Sequence, residues 1–204
     1  MGWYSANVVP RITNIACGSK RMSPMRERAA SGLSGDVVEV GFGTGLNVPF
    51  YPSAVARVMA VEPSDVSKRL AATRVAASKV PIDFVGLDGA RLPLGDESAD
   101  YVLSTWTLCT IPEVEAALSE VKRVLRSGGE FHFVEHGRSP DEKVARAQDR
   151  WTPLNMRIAG GCHLNRPILE LLNASGLEVT RIDRYYIKGP KQFGYMYEGI
   201  AAKV

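Results

Sequence analysis

Three alternating glycines follow a short run of β-branched residues early in the chain. The segment is Glu39-Val40-Gly41-Phe42-Gly43-Thr44-Gly45. Glycine allows the backbone to turn sharply and to approach a ligand where any Cβ atom would collide. In an open α/β sheet, ligands bind outside the carboxyl ends of the strands, where the strand order reverses. The spacing therefore predicts a ligand-binding turn at the end of a first strand.

The glycine spacing also narrows the class of ligand. A dinucleotide-binding fingerprint reads GxGxxG and would place its last glycine at position 46, which is Leu46. The phosphate-binding pattern GxxxxGK followed by Ser or Thr is missing as well. The turn therefore suits a ligand that need not carry a pyrophosphate.

Two acidic segments follow, Glu62-Pro63 after the second predicted strand and Asp88-Gly89-Ala90 after the third. A carboxylate about 20 residues beyond the glycines can accept hydrogen bonds from both hydroxyl groups of a ribose. The second carboxylate can accept a hydrogen bond from an adenine amino group, and Gly89 and Ala90 leave room for the ring. Together with the glycine turn, these acids predict an adenosine-containing ligand.

Short β-branched runs alternate with longer amphipathic segments, which is typical of a mostly parallel sheet covered on both faces. Strands are predicted over residues 36–41, 58–62, 82–86, 100–105, 130–135, 177–184 and 194–203. Helices are predicted over 64–78 with Ser64 as N-cap, over 113–125 until Gly128-Gly129, within 141–156, and over 165–176 with Asn165 as N-cap and Pro167 in the first turn. The fold class is therefore α/β: a Rossmann-like, doubly wound, mostly parallel seven-stranded sheet with an antiparallel last strand.

The chain is predicted to form a single domain, residues 1–204, because no linker, repeat or low-complexity tract divides it. Residues 1–34 carry no strand pattern and are expected to form a helical cap, or lid, over the ligand cleft. Residues 35–136 would then form the cofactor-binding half and residues 137–204 the substrate-side half.

Charge and cysteine content exclude several classes of function. The 25 basic and 22 acidic residues are interleaved and leave a net charge of +3, too little to indicate a nucleic-acid partner. No apolar run reaches the roughly 18 residues of a membrane span, and no signal-peptide pattern is seen. The three cysteines show neither a CxxC pair nor a zinc-binding spacing, so we predict reduced thiols and no metal site. A cytoplasmic location is expected.

These segments resemble the class I S-adenosylmethionine-dependent methyltransferases, in the subgroup related to the ubiquinone and menaquinone methyltransferases. The matching segments, in the family's order, are 39–45, 62–63, 88–90, 100–104 and 121–129. The resemblance implies that S-adenosylmethionine is the cofactor and S-adenosylhomocysteine the product. It also implies that the glycine turn meets the methionine end, Glu62 the ribose and Asp88 the adenine, while Ser104 to Trp106 line the methyl-transfer side. The cofactor-binding residues that it implies are Glu39, Gly41, Gly43, Thr44, Gly45, Asn47, Glu62, Pro63, Asp88, Gly89, Ala90, Ser104, Thr105 and Trp106.

A narrower resemblance, in the second half of the chain, is to the alkyl-thiol methyltransferase-like proteins. It rests on Leu108-Cys109-Thr110, Glu135-His136, Trp151-x-Pro153 and Gly161-Cys162-His163-Leu164-Asn165-Arg166. Those relatives carry an N-terminal membrane anchor that is not seen here, so we expect no stable membrane insertion. Bacterial phospholipid N-methyltransferases share the glycine turn and the Leu-Asn-x-Pro that follows it. The acceptor is therefore predicted to be a small, fairly apolar molecule, with a thiol favoured over a phenol, a quinol or a lipid amine.

His136 ends the fifth predicted strand, on the same edge as the glycine turn. It is the candidate catalytic residue, as a general base or a group that orients the acceptor. The alternative is a histidine that only hydrogen-bonds the neighbouring loop. The candidates for substrate binding are Trp106 and Trp151 as apolar walls, and His163 and Arg166 before the next helix.

Other functions remain open at this point. Cys162 could act as a nucleophile, but direct methyl transfer needs none, which favours a small buried side chain. A nicotinamide-dependent oxidoreductase shares the strand–turn–helix start, and a non-catalytic adenosine-ligand-binding protein of methyltransferase fold would bind without turnover. A nucleic-acid methyltransferase is disfavoured because Ser104-Thr105-Trp106-Thr107 replaces the Asn/Asp-Pro-Pro-aromatic tetrad that holds a flipped base. The predicted partner is therefore a small-molecule acceptor.

Overall fold

The computed structural model describes residues 3–204, which form one seven-stranded sheet with helices on both faces. The strands are β1 (Gly35–Val40), β2 (Val55–Val61), β3 (Ile82–Gly86), β4 (Ala99–Thr105), β5 (Leu125–His136), β6 (Glu178–Tyr186) and β7 (Tyr195–Ala202). Their order across the sheet is β3-β2-β1-β4-β5-β7-β6. Strands β1 to β5 are paired in parallel, and β7 is antiparallel to both β5 and β6. The predicted fold class, with its antiparallel last strand, is confirmed.

Three helices precede the sheet and four connect or follow its strands. They are α1 (Trp3–Asn7), α2 (Val9–Cys17), α3 (Ser23–Ala30), α4 (Asp65–Ala76), α5 (Val114–Val124), α6 (Glu142–Ile158) and α7 (Ile168–Ala174). The predicted N-cap of α4 is confirmed, because the Ser64 hydroxyl accepts a hydrogen bond from the Ser67 N–H at 3.2 Å. The predicted helical character of the N-terminal segment is confirmed as well. Within residues 3–204, every helix is too short or too polar to span a bilayer.

The predicted bounds of α5, 113–125, agree with the structure to within one residue, but the predicted role of Gly128-Gly129 as the stop of this helix is wrong. Helix α5 ends at Val124, and β5 begins directly with Leu125. Gly128, predicted to stop the helix, lies inside β5 with a φ of +77°. It donates its N–H to the Lys203 carbonyl at 2.9 Å. Gly128 therefore pairs with the chain just beyond β7, and no local pattern contains that partner.

The predicted N-cap of α7 is also wrong. Pro167, and not Asn165, occupies the N-cap position, and its side chain makes no capping hydrogen bond. The Asn165 side chain instead donates to the Asp149 carboxylate of α6 at 2.8 Å. A polar residue near a helix start can serve either purpose, and here a distant carboxylate is the partner.

Parallel register brings the carboxyl ends of the central strands to one edge of the sheet. Val40 of β1 is level with Val61 of β2 and Ser104 of β4, and Thr105 is level with Val134 of β5. The strand order reverses between β1 and β4, which is the position where such sheets bind ligands. The glycine turn and the predicted acidic residues all leave the sheet along this edge.

Both faces of the central strands are buried, and successive residues alternate between them. Val37 belongs to the apolar cluster under α3, whereas Val38 belongs to the cluster under α5. Leu118 and Val121 of α5 are fully buried in the cluster under α5. Burying one such side chain stabilises the fold by about 1.5–3 kcal/mol. This alternation matters for the site, because it determines toward which face of the sheet the side chains at the strand ends point.

Candidate active site

The three glycines of the turn have different surroundings. All three have positive φ angles, +74° at Gly41, +57° at Gly43 and +74° at Gly45. A Cβ atom at Gly41 would overlap the side chain of Thr107, and one at Gly45 would lie 3.3 Å from the Phe42 ring. At Gly43 the nearest atom would be a backbone oxygen 3.8 Å away. Gly43 is therefore the point where the turn faces open space, and a ligand that approaches the backbone fits there.

Glu62 lies directly after β2 and holds this turn in place. Its two carboxylate oxygens accept hydrogen bonds from the N–H groups of Gly43 and Ser64, each at 2.7 Å. Glu62 is only 6% exposed, and burial raises the pKa of its carboxyl group. Because a carboxylate oxygen has two lone pairs, one remains on each oxygen for a ligand hydroxyl. The predicted ribose position is thus next to the open side of Gly43, while Pro63 is exposed.

Asp88 follows β3 and is exposed at the same edge. Its Oδ1 atom accepts a hydrogen bond from the Ala90 N–H at 2.9 Å, which shapes the turn. A Cβ atom at Gly89 would lie 2.9 Å from Val40, so only glycine fits this close approach to β1. A cavity of about 340 Å³ adjoins the turn, and it is lined by Gly86, Leu87, Asp88, Arg91, Leu92 and Pro93. A cavity of this size can accept a flat heterocycle.

Glu39, the last acid of β1, is buried beneath the glycine turn. Its carboxylate accepts hydrogen bonds from the Asn47 side-chain amide at 2.9 Å and from the Tyr51 hydroxyl. Asn47 in turn accepts a hydrogen bond from the Arg26 guanidinium at 2.8 Å, and the Thr105 hydroxyl oxygen lies 3.0 Å from both. Burial raises the pKa of Glu39 to about 7 and lowers the pKa of Arg26. Sequence reasoning found Glu39, Asn47 and Thr105 but missed Arg26 and Tyr51.

The N-terminal helices reach the glycine turn through polar contacts. The Thr44 hydroxyl donates to the Asn14 side chain of α2 at 2.8 Å, and Arg74 of α4 donates to the Thr44 carbonyl at 2.9 Å. The Arg26 guanidinium of α3 lies 4.7 Å from the centre of the Trp106 ring. An arginine in a polar helix carries no sequence signal for this role, because most such side chains are solvated.

Glu135, next to the predicted His136, organises the loop after β4. Its Oε1 atom accepts hydrogen bonds from the Ser104 hydroxyl at 2.8 Å and from the N–H groups of Thr107 and Leu108 at 2.9 and 3.0 Å. Its Oε2 atom accepts a longer one from the Cys109 N–H at 3.4 Å. Glu135 is fully buried, and burial raises the pKa of its carboxyl group. Sequence reasoning did not assign it a role, although an acid inside a buried strand was an available signal.

His136 ends β5 and contacts a cysteine from a distant loop. Its Nε2 atom lies 3.0 Å from the Cys162 sulfur, and its Nδ1 atom has no hydrogen-bond partner among residues 3–204. The Cys109 thiol and His136 lower the pKa of Cys162 against the effect of burial. Burial by itself lowers the pKa of His136, but Cys162 and Glu135 outweigh it and the net shift is upward. Cys162 is thus buried, as predicted, but it lies in a polar cluster.

The remaining predicted acceptor residues are only partly brought together. The Arg166 guanidinium donates to the Ile111 carbonyl at 2.6 Å and lies 3.3 Å from the His163 ring. Arg166 is 8% exposed, so it is not a surface residue. Trp151 is 43% exposed on α6, with its ring centre 6.3 Å from that of Phe193. His163 and Arg166 therefore border the loop after β4, whereas Trp151 packs beside Phe193.

Comparisons with known proteins agree with this geometry. Residues 38–133 match the family model described as a methyltransferase domain. Human thiol S-methyltransferase TMT1A is 35% identical over 204 aligned residues, covering 90% of this chain and 80% of that protein. Phosphatidylethanolamine N-methyltransferase of Cereibacter sphaeroides is 34% identical over 131 residues, covering 61% of this chain and 63% of that protein. An S-adenosylmethionine-dependent methyltransferase structure from Thermotoga maritima has a TM-score of 0.68 at 20% identity, covering 95% of this chain and 94% of that chain.

A sheet of this order, with a glycine turn where its strand order reverses, defines a Rossmann-like methyltransferase. The likeness to the solved structure supports the fold alone, whereas the human relative matches nine tenths of the chain. The chain belongs to the S-adenosylmethionine-dependent methyltransferases, in the family that includes human thiol S-methyltransferase TMT1A. The nicotinamide-dependent alternative is not favoured by these matches.

The buried Glu39 carboxyl predicts a pH-dependent stability. The folded chain keeps the proton up to about pH 7, while the unfolded chain releases it near pH 4.5. The free energy of unfolding should therefore fall by about 3 kcal/mol as the pH rises through this window. Glu39→Gln, which stays neutral, should remove this decrease in urea unfolding measured at pH 5 and pH 7.5.

The matched control for this experiment is Glu115→Gln, which makes the same change at an exposed position of α5. It should keep the pH dependence of the parent chain. If Glu39→Gln and Glu115→Gln show the same difference between the two pH values, Glu39 is ionised in the folded state and the assignment is wrong.

Proposed function

We propose that the protein transfers the methyl group of S-adenosylmethionine to the sulfur of a small, fairly apolar thiol. The observation that carries the thiol assignment is the 35% identity to a thiol S-methyltransferase over 90% of the chain. His136, at the end of β5, and Cys162, whose sulfur lies 3.0 Å from it, are both buried. They support the assignment, because an acceptor bound beside them would be shielded from water.

The proposal that the cofactor is S-adenosylmethionine rests on three features of the site. The open space at Gly43 would admit the part of the cofactor that lies against the main chain of the turn. The adjacent Glu62 would accept hydrogen bonds from the ribose of the cofactor. The cavity beside Asp88 would take the adenine. The cofactor supplies a methyl group made electrophilic by a sulfonium, so the protein's task is orientation and exclusion of water.

Gly43→Val should abolish binding of S-adenosylmethionine, because the new side chain would fill the open space at the turn. Gly128→Val is the matched control. Gly128 also has a positive φ and open surroundings, but it lies at the opposite end of β5. Both variants should lose similar stability, about 1–2 kcal/mol, from the strained backbone. Calorimetric titration in which Gly43→Val binds like Gly128→Val would contradict the placement of the cofactor.

Glu62→Ala should weaken binding of S-adenosylmethionine by about 1.5–3 kcal/mol, the usual contribution of hydrogen bonds to a charged group. Glu62→Gln keeps one acceptor oxygen and should lose less. Because Glu62 also holds the Gly43 N–H, thermal unfolding of both variants has to accompany the calorimetry. An Ala variant that is folded and binds with unchanged affinity would place the ribose elsewhere.

Methyl transfer to a thiol requires the acceptor to reach the thiolate state. The S–H bond breaks, its proton leaves to solvent or to a protein group, and the sulfur lone pair forms the new C–S bond. The old bond from the methyl carbon to the sulfonium sulfur breaks, and its electron pair stays on S-adenosylhomocysteine. A thiol with a pKa of about 8.5 is mostly protonated at neutral pH, so a group that favours the thiolate speeds the reaction. In the proposal, His136 supplies this help.

A lipid amine is the second candidate acceptor, because the Cereibacter sphaeroides relative is a phosphatidylethanolamine N-methyltransferase. The site offers little to hold an ammonium group. Glu135 is fully buried, and its Oε1 atom already accepts three hydrogen bonds, from the Ser104 hydroxyl and from the N–H groups of Thr107 and Leu108. One face of the Trp106 ring is already occupied by the Arg26 guanidinium, 4.7 Å from the ring centre. We therefore rank a thiol first.

The acceptor is identified by measuring S-adenosylhomocysteine release with four acceptor classes under the same conditions. We expect alkyl thiols to give the highest kcat/KM, ahead of phenols, quinols and phosphatidylethanolamine vesicles. A higher kcat/KM with the vesicles would replace the thiol with a lipid amine. Release with none of the four would contradict the proposed acceptor range.

His136→Ala should reduce thiol methylation by about 100-fold or more at neutral pH. Affinity for S-adenosylmethionine should change little, because His136 lies on the acceptor side. The deficit should shrink as the pH rises toward the pKa of the acceptor thiol, since the acceptor then ionises without help. Turnover by the variant equal to that of the parent chain at pH 7 would reduce His136 to a structural role.

A further inference from the structure

Three side chains with soft donor atoms meet on the acceptor side of the site. They are Cys109 from the loop after β4, His136 at the end of β5 and Cys162 from the loop between α6 and α7. One donor atom of each, the two sulfurs and a ring nitrogen, lies within 4.8 Å of the other two. We call these three residues the Cys2His cluster. All of them are at least nine-tenths buried.

The backbone around the Cys2His cluster is held in place by hydrogen bonds from outside it. The His163 N–H donates to the Cys109 carbonyl at 2.8 Å, which joins the two cysteine loops. The Asn155 side chain donates to the Cys162 carbonyl at 2.8 Å. The backbone of each cysteine is thus fixed by a hydrogen bond, and the fold itself brings the donor atoms together. Such preorganisation is what a bound ion requires.

The polar atoms of the cluster have few partners other than one another. The Nδ1 atom of His136 has none among residues 3–204, and its Nε2 atom lies 3.0 Å from the Cys162 sulfur. The buried Glu135 carboxylate adjoins the cluster through the Cys109 N–H. A buried polar atom without a partner is costly, and a metal ion bound by the two sulfurs and the imidazole would give these atoms one.

The donor set indicates which ion would bind. Two thiolates and an imidazole are soft ligands that suit zinc, and three protein ligands with one open position are typical of catalytic zinc sites. With Zn–S bonds of about 2.3 Å and Zn–N bonds of about 2.0 Å, tetrahedral donor atoms lie about 3.5–3.8 Å apart. The observed spacing, from 3.0 Å to at most 4.8 Å, brackets these values, so small side-chain rotations suffice.

We propose that Cys109, His136 and Cys162 bind a zinc ion whose fourth position takes the sulfur of the acceptor thiol. This inference rests on the proposed function and states how the site would favour the thiolate. On binding, the thiol loses its proton to solvent and its sulfur becomes a zinc ligand. A sulfur lone pair then attacks the methyl carbon, and the product is a neutral thioether. A thioether is a weaker ligand than a thiolate, so the next thiol replaces it, and no oxidant or reductant takes part.

The sequence predicted no metal site, because the three residues lie far apart and follow no zinc spacing. The three side chains meet because β4 and β5 end side by side, and because the loop after α6 brings Cys162 back to the same edge of the sheet. The Cys2His cluster is therefore visible only in the tertiary structure.

Metal content and a spectroscopic probe test the zinc site directly. The chain, purified under reducing conditions without chelator, should contain about one zinc ion by elemental analysis. Cys17→Ser, which changes the third cysteine outside the cluster, should keep the metal. The double variant Cys109→Ser/Cys162→Ser should lose it and yet still bind S-adenosylmethionine by calorimetry, which shows that it is folded. Equal zinc in the double variant, or none in the parent chain after incubation with excess zinc, would overturn the site.

Cobalt substitution tests the open fourth position separately. A Co²⁺-loaded parent chain should show sulfur-to-cobalt charge-transfer absorption, and adding an alkyl thiol without S-adenosylmethionine should change that spectrum. An unchanged spectrum would overturn the acceptor-binding role. If chelator-treated, metal-free chain methylates thiols at the parent rate, the zinc proposal fails while the proposed function stands. If the metal-loaded chain methylates amines or quinols but no thiol, the proposed function fails, and with it the role given to the fourth position.

Discussion

The hydrogen bonds to the Glu135 carboxylate are the interactions on which the proposed acceptor side depends. The carboxylate is buried at the end of a central strand, where an isolated charge would be costly. Hydrogen bonds from Ser104, Thr107, Leu108 and Cys109 compensate for the lost water. Each hydrogen bond to a charged group contributes about 1.5–3 kcal/mol. The carboxylate therefore holds the loop after β4 from Thr107 to Cys109 in one conformation and sets where Cys109 lies.

A second buried network supports the proposed cofactor side, and the last two residues of β4 connect the two networks. The Ser104 hydroxyl donates to Glu135, whereas the Thr105 hydroxyl oxygen lies within hydrogen-bond distance of Arg26 and Asn47. Successive residues of a strand point to opposite faces, so one network lies toward α5 and the other toward α3. A shift of β4 by one residue would exchange these partners, which makes its register a requirement of the site.

The positions of most elements could be predicted from local patterns, since apolar periodicity is a local property. Strand β3 has the predicted bounds, and the glycine turn lies at the end of β1 as expected. Predictions failed where a distant partner competes with a local signal. Gly128 resembles a helix stop but pairs beside β7, and Asn165 resembles an N-cap but binds Asp149. In both cases a tertiary hydrogen bond outweighs a local preference that is worth only about 1 kcal/mol.

The sequence by itself determined the class of fold, the glycine turn and the order of acids behind it, because strand ends and turn residues are encoded within short segments. It could not show that Gly43 is the one glycine of the turn facing open space, or that Arg26 of the N-terminal helices lies under Trp106. Nor could it bring Cys109, His136 and Cys162 together. Those relations join segments that are far apart along the chain, and only the parallel register of the sheet and the packing of its connections determine which side chains meet.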